Sequence, residues 1–559
     1  MRPDPLTRHQ DARHEIGHTE VSPAVARSLV AVFVVLLVVP SLIQALGGSA
    51  GLAVTVGTPT DTKRTPEGIV RHILAVNRSW LAAAQNIEDA IGERARVVEI
   101  LRPVTQSVLT GRLGAGTELV YPSQGPWLFY GPDLRYVTGR GFLTPFELQR
   151  RAESGDIALP APEPDARPAI LALHRALEAR GIRLIVMPTP VKPSVEFRQL
   201  SGARTTSTAE VENPSYRGFI DGLRGQGVLV FDVGEVIGTA REAGGGPFYL
   251  ATDTHWRPET VELVARQLAS FIIDVTNLPE RPAPLRSSRV DVTNHGDTAR
   301  LLGLRPNRGL FPPETVRIRR VTPATNTRWY PNTDADILLL GDSFTNVYSL
   351  ETMGWGESAG LAEQLSFEMK RPVDRLSQND AGAHASRELL ATELRRGRDR
   401  LDGKRVVILQ FANRELAFGD WPVIDLTPIA RPDLSTFAVP SQGGQPISVS
   451  GVVRAVGQIP RPGSVPYKDQ IVAVHVDGLT LEAGTYALSG TEALVYMWGM
   501  QDDELTPLER YRVGDPIGLS LEAWSTVSDE LDPINRGEIY DPRVQLAEPW
   551  WGQLRETPP

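Results

Sequence analysis

The chain has 559 residues and a mass of 61.1 kDa, enough for several structural units at roughly 150 residues per domain. Its 58 Lys and Arg against 67 Asp and Glu leave a net charge of −9, which argues against binding nucleic acid through a basic face. Cysteine is absent, so disulfides, thiolate nucleophiles and Cys-ligated zinc or iron–sulfur clusters are excluded.

From Ser28 to Thr60 there is no charged side chain, and Leu29 to Leu46 is broken only by Pro40, Ser41 and Gln44. At about 1.5 Å per residue such a run reaches roughly 27 Å, just enough to cross a bilayer core. Arg2, Arg8, Arg13 and Arg27 precede it, so the positive-inside rule keeps residues 1–27 cytoplasmic. Residues 28–48 then read as an uncleaved single-pass anchor in the inner membrane, the rival being a cleaved signal peptide, for which Gly47-Gly48-Ser49-Ala50 is a poor cleavage site. Everything after the anchor is then expected in the periplasm or an equivalent exported space. A stem helix over Ser79 to Leu101 would connect the anchor, within a linker of residues 49–120.

Gly125-Pro-Trp-Leu-Phe-Tyr130 is a compact apolar run that reads as the first strand of a domain spanning 121–425. A helix over Ala169 to Arg180 stops at Gly181 and is followed by the short apolar run Ile182 to Met187, the pattern of a buried parallel strand. The alternation recurs with runs at Gly227–Phe231, Ala335–Leu340, Val373–Leu376 and Arg405–Gln410. The predicted fold class is therefore α/β, a doubly wound parallel sheet with helices on both faces. After Asp420, alternating runs such as Ile471–Val476, Leu494–Trp498 and Ile517–Trp524 predict a small β-rich domain over 426–559. Tyr496, Trp498, Trp524, Trp550 and Trp551 in it suit either stacking on sugars or core packing.

Two segments carry chemistry. Gly341-Asp342-Ser343-Phe344-Thr345 directly follows an apolar strand; the end of a parallel strand is where ligands gather, and the next helix offers amides for an oxyanion. The same residues also suit a helix N-cap. Asp253-Thr254-His255-Trp256 precedes a helix opening at Pro258. In an extended stretch Asp253 and His255 project the same way, so the carboxylate can hold Nδ1 and leave Nε2 as a base. Ser343, His255 and Asp253 together form a nucleophile, base and orienter.

Asp-x-His-Trp, followed some ninety residues later by Gly-Asp-Ser-Phe and preceded by Gly-x-Trp-Leu-Phe-Tyr, resembles the SGNH-hydrolase-like family of polysaccharide O-acetyltransferases, the AlgJ and AlgX type of alginate acetylation. The resemblance covers about Gly125 to Leu416. It implies an SGNH-like fold, an acetyl-serine on Ser343, and oxyanion donors from a glycine and an asparagine, for which Gly382 and Asn413 are the candidates and Asn379 a competitor. Substrate contacts are assigned to Arg414, Lys192 and Trp256, although Arg414 also suits a surface role and Lys192 a structural one. It further implies a polysaccharide substrate and a polytopic membrane-bound O-acyltransferase as acetyl donor. The same triad with water as acceptor would make an esterase or deacetylase, and a silent glycan-binding assembly protein is a third reading. No cofactor or metal is expected, since no spacing resembles His-Glu-x-x-His.

Overall fold

The computed structural model describes residues 96–555, apart from 156–160, 202–210, 305–308, 326, 380–381, 427–432, 441–444, 484–487 and 540, together with a few positions between 25 and 33. The expected anchor at 28–48 lies almost wholly outside the described residues, and among these no helix is long and apolar enough to cross a membrane. Contacts divide the chain into Met1–Val108 and Leu109–Pro559. Described residues of the first unit lie mainly in the start of the helix Arg96–Leu113; of the stem helix expected over Ser79 to Leu101, the part from Arg96 is helical and the rest lies outside the described residues.

In the second unit, β1 (Val120–Pro122) and β2 (Leu128–Tyr130) form an antiparallel ribbon. The Trp-Leu-Phe-Tyr run is thus not a strand of the main sheet. β3 (Arg183–Thr189) and β4 (Leu229–Val230) belong to that sheet. β5 (Leu285–Asn294) and β6 (Glu314–Pro323) make a ten-pair antiparallel hairpin that the sequence did not suggest. β7 (Ile337–Gly341), β8 (Asp374–Ser377) and β9 (Val406–Ala412) complete a five-stranded sheet of order β4-β3-β9-β7-β8, parallel throughout.

Successive side chains of these strands serve two different cores, as the period of two requires. Leu184, Val186, Leu338, Leu340, Val407 and Leu409 pack with the helices Ala166–Glu178, Tyr216–Gly225 and Gly382–Arg395. Their neighbours Ile185, Met187, Ile337, Leu339, Val406 and Ile408 pack with the helices Pro258–Val275 and Leu361–Met369. Both faces of the sheet are covered, which leaves its carboxyl edge as the place for chemistry.

The C-terminal strands β10 (Ile447–Val456), β11 (Gln470–Ala483), β12 (Glu492–Gln501), β13 (Glu504–Leu505), β14 (Pro516–Ala523), β15 (Arg536–Gly537) and β16 (Pro549–Leu554) form one sheet. Because β11 pairs with β12 as well as β10, the circuit β12-β16-β14-β10-β11 closes on itself like a barrel. Val449, Val472, Val495 and Leu519 are among the side chains of its core. Tyr496, Trp524 and Trp551 pack into a second core outside it. Four of the five aromatics considered as sugar platforms are buried, and only Trp498 of that set keeps intermediate exposure. Their role here is packing, with Tyr496 edge-on to Trp524 and Trp498 edge-on to Trp551.

Candidate active site

The serine turn is fixed from its acid. Strand β7 ends at Gly341, and Asp342 caps the single-turn helix Ser343–Asn346 by accepting from the Phe344 amide at 2.8 Å. Its other oxygen accepts from the Ala412 amide at 2.7 Å, which ties the turn to the end of β9. The Asp342 amide and the Thr345 hydroxyl both donate to Oε1 of Gln410. Ser343 itself keeps 5% of its surface exposed.

The histidine lies in a loop closed on itself. Leu250 N–H donates to the His255 carbonyl, and Arg257 N–H to that of Phe248. The loop is a turn and not the extended stretch expected, yet it still pairs the two side chains. Oδ1 of Asp253 accepts from both the His255 amide (3.0 Å) and Nδ1 (2.7 Å). Oδ2 accepts from the Asp297 amide at 2.9 Å and from the Trp355 indole at 2.8 Å. Nε2 of His255 is buried with no hydrogen-bond partner among the described residues.

Electrostatics set the protonation of this group. Burial opposes charge on Asp253, but the His255 imidazole and the three other donors outweigh it and hold the carboxyl below the usual carboxylate range. Burial likewise opposes charge on His255, and the Asp253 carboxylate more than offsets it, so the imidazole titrates above its ordinary value. Asp297, with Oδ2 3.7 Å from Nδ1 and otherwise unpartnered, is pushed up to about 6 by burial and by Asp253. Ligand atoms of Asp253, His255 and Asp297 lie within 4.8 Å of one another. Because both Asp253 oxygens and Nδ1 are already committed to hydrogen bonds, the grouping is built as a carboxylate–imidazole unit and not as a cation cage.

The serine and histidine segments meet at Phe344. Its ring centroid lies 4.9 Å from that of His255 and 5.5 Å from that of Trp256, both edge-on. The Trp256 indole donates to the Phe344 carbonyl at 3.1 Å.

Residues 151–413 match the family described as SGNH hydrolase-like domain, acetyltransferase AlgX. The chain is 27% identical over 181 residues to the probable alginate O-acetylase AlgJ of Pseudomonas fluorescens, covering 31% of this chain and 44% of that protein. It is 29% identical over 140 residues to the protein of the same name in Pseudomonas aeruginosa, covering 24% and 34%. It therefore spans less than half the length of these curated relatives. Among solved structures, the O-acetyltransferase domain of Pseudomonas putida AlgJ aligns with a TM-score of 0.40 at 19% identity, over 54% of this chain and 93% of that one. Pseudomonas aeruginosa AlgX aligns with a TM-score of 0.37 at 17% identity, over 72% and 90%.

In and around the region that matches this family, the expected substrate contacts have other partners. Lys192 is wholly buried, and its ammonium donates to the carbonyls of Leu128 (2.6 Å), Ala251 (2.8 Å) and Asp253 (3.0 Å). Burial lowers its pKa to about 8 against the attraction of Asp253 and Asp297. Trp256 is fully buried and presents no face to a sugar. Arg414 is largely buried, paired with Asp133 at 3.1 Å, and its guanidinium sits 5.8 Å from the Phe344 ring centre, beside the serine turn. Gly382 opens the helix Gly382–Arg395 and touches the turn closely: a Cβ there would come within 2.2 Å of Asp342 Cβ. Asn413, which the family resemblance offered as an oxyanion donor, is buried with its side-chain Nδ2 turned toward Glu212 at 3.4 Å. Asn379 holds Asn346 instead.

Sequence reasoning missed Asp297, Trp355, Asp133 and Gln410. A signal for the first was His295-Gly296-Asp297: Gly296 has φ 81°, and a Cβ there would lie 2.2 Å from the Thr252 carbonyl oxygen. Only glycine lets this turn lie against the Asp253 loop.

Proposed function

We propose that this chain is an O-acetyltransferase held in the inner membrane by an N-terminal helix, with its catalytic part in the periplasm, moving acetyl groups onto hydroxyls of an exopolysaccharide. The observation that carries the reading is the imidazole: Nδ1 is held by Asp253 at 2.7 Å, while Nε2 is buried without a partner among the described residues, in a ring packed on Phe344 beside Ser343. A base poised in that way needs an adjacent hydroxyl to act on. The AlgX-type family match over 151–413 supports acetyl transfer as the chemistry.

Ser343 Oγ attacks the acyl carbon of an acetyl ester while Nε2 of His255 takes its proton. Collapse of the tetrahedral intermediate expels the donor oxygen, which leaves with that proton, and acetyl-serine remains. A sugar hydroxyl then loses its proton to His255 and takes the acetyl group, and the proton returns to Ser343. The oxyanion is held by the Ser343 amide and by that of Gly382, each donor being worth about 3 kcal/mol of barrier. A polytopic membrane-bound O-acyltransferase supplies the acetyl groups across the bilayer.

The test is full-length protein with an activated acetyl ester, with and without polysaccharide. Acetylated sugar is expected. Free acetate whose yield ignores the sugar would assign hydrolysis, and unchanged turnover in Ser343→Ala would remove the serine from the proposal.

A further inference from the structure

A cavity opens beyond the carboxyl ends of β3, β4 and β9, along the same sheet edge as the serine turn that follows β7. Its volume is about 360 Å³, within the range of small-ligand sites. Pro190 and Ser194 after β3, Asp232 after β4 and Asn413 after β9 line it, together with Glu212 and Tyr216.

Two of these side chains have buried polar atoms with no hydrogen-bond partner among the described residues: Oδ1 of the fully buried Asn413 and Oγ of Ser194, whose residue is 7% exposed. Buried polar atoms are seldom left so. Both residues line the cavity, and an unpaired amide oxygen and hydroxyl in one lining suit a ligand that carries O–H or N–H donors. Around them, the Tyr216 hydroxyl donates to Asp232 at 3.0 Å. Burial pushes the Glu212 carboxyl up to about 7, so near neutrality much of it is the uncharged acid.

Charge does not favour an anion. With Glu212 largely uncharged, Asp221, Asp232 and Glu235 face the guanidiniums of Arg217, Arg224 and Arg241, so the lining has no net positive charge. Of these guanidiniums, Arg224 is paired with Glu235 at 3.2 Å and Arg241 donates to the Val195 carbonyl at 2.8 Å. Val195, Ile220 and Ile237 add an apolar wall suited to the C–H face of a ring.

We propose that this cavity binds a neutral, hydroxyl-rich sugar unit, separate from the serine site and joined to it through the backbone. Two segments serve both places. Ala412 donates its amide to Asp342 while Asn413 lines the cavity, and Lys192 holds the Asp253 carbonyl while Ser194 lines the cavity. Resting on the acetyltransferase reading, the site grips one residue of a polysaccharide while the hydroxyl of another reaches Ser343, and it selects polymers that contain neutral sugars.

The experiment titrates the methyl glycosides of glucose, mannose and galactose, and sodium glucuronate, into full-length Ser343→Ala protein and reads saturation-transfer NMR. At least one neutral glycoside should bind, more tightly than glucuronate. Affinity should fall about tenfold or more in Ser194→Leu, which fills the cavity, and in Glu212→Gln, which keeps its shape and removes the acid. Folding of each variant is checked by its unfolding midpoint. No neutral glycoside binding, equal or tighter glucuronate binding, or unchanged binding in both folded variants overturns the proposal. Turnover of a small acetyl ester by the unmodified protein is measured separately. Glycoside binding without such turnover keeps this site and sinks the serine reading, and turnover without binding does the reverse.

Discussion

The indole of Trp256 donates to the carbonyl of Phe344 at 3.1 Å, joining the residue after the histidine to the residue after the serine. Each neighbour of a proposed reacting group thereby positions the other across 88 residues of chain. Trp256→Phe keeps the ring in its fully buried place and removes the donor, leaving a buried carbonyl without its bond. The expected cost is about 1–2 kcal/mol of stability and about tenfold in kcat with KM little changed, because misplacement affects the reacting geometry more than binding. Steady-state kinetics with an acetyl ester and a thermal melt check both.

The pH profile follows from the carboxylate beside His255. A base must be unprotonated, and the Asp253 carboxylate raises the imidazole above its ordinary pKa of about 6.5. Activity should therefore fall as pH drops through a midpoint above about 6.5. In Asp253→Asn that midpoint should shift down while the maximal rate falls. Stability runs the other way. The raised His255 contributes fully below its unfolded pKa of about 6.5 and loses that contribution as pH rises through the folded value. The depressed Asp253 contributes above about 3.9 and loses that as pH falls through its own folded value. The pair should stabilise most between these limits, read as the pH dependence of the unfolding midpoint.

Asp297 gives a signature with the opposite sign. Its folded pKa, about 6, lies above the unfolded value of about 3.9, so the folded state holds a proton that the unfolded state has released across this window. Stability is lost as pH rises through it. Asp297→Asn removes the titrating group and keeps an oxygen for the Thr254 amide, which now donates to Oδ1 at 2.8 Å. The variant should match the parent below pH ~4 and exceed it, on the order of 1 kcal/mol, above pH ~6. With one negative charge gone from beside the imidazole, the midpoint of the activity profile should also move down.

The strands of the parallel sheet were legible because burial on both faces writes short apolar runs, as at Ile337–Gly341, and because helices ending in glycine punctuate them. The Asp253–His255 pair was legible from its spacing, although the turn that makes it was not: an acid two residues before a histidine is the same string in a strand or a turn. The β5–β6 hairpin escaped because its β5 side chains are mostly exposed and carry little apolar pattern. Asp297 and Trp355 escaped because they reach Asp253 from 44 and 102 residues away, and no local spacing encodes such a meeting. The sequence leaves Lys192 open between a substrate contact and a structural role and makes Trp256 a substrate contact, because a polar or aromatic side chain near a motif suggests a ligand. In the fold, the backbone carbonyls of Leu128, Ala251, Asp253 and Phe344 take their donors.

Lys192 is a positioning residue by this geometry, with three carbonyls from two segments converging on one ammonium. Lys192→Met fills much of the same space but leaves those carbonyls unpaired, for an expected loss on the order of 3 kcal/mol. A merely structural role would lower the unfolding midpoint and leave the activity of the remaining folded protein intact. Because one of the carbonyls is that of Asp253, the variant should also show a lower kcat and a displaced pH midpoint at temperatures well below its melt.

Gly382 tests the serine turn from the opposite side. The Asp342 Cβ would stand 2.2 Å from a methyl group added there, and it is a firm neighbour, since Asp342 is pinned by the Phe344 and Ala412 amides through its two oxygens. Gly382→Ala must move either the start of the helix Gly382–Arg395 or Asp342 itself. Moving the helix start costs packing of Ala383 and Leu390 against the sheet, whereas moving Asp342 breaks the cap that aims Ser343. Overpacking of this kind costs about 1–3 kcal/mol. The expected outcome is a variant that still folds, melts several degrees lower, and turns over acetyl ester at least about tenfold more slowly. If folded Gly382→Ala protein kept full activity, the serine turn would owe neither its position nor an oxyanion donor to this residue.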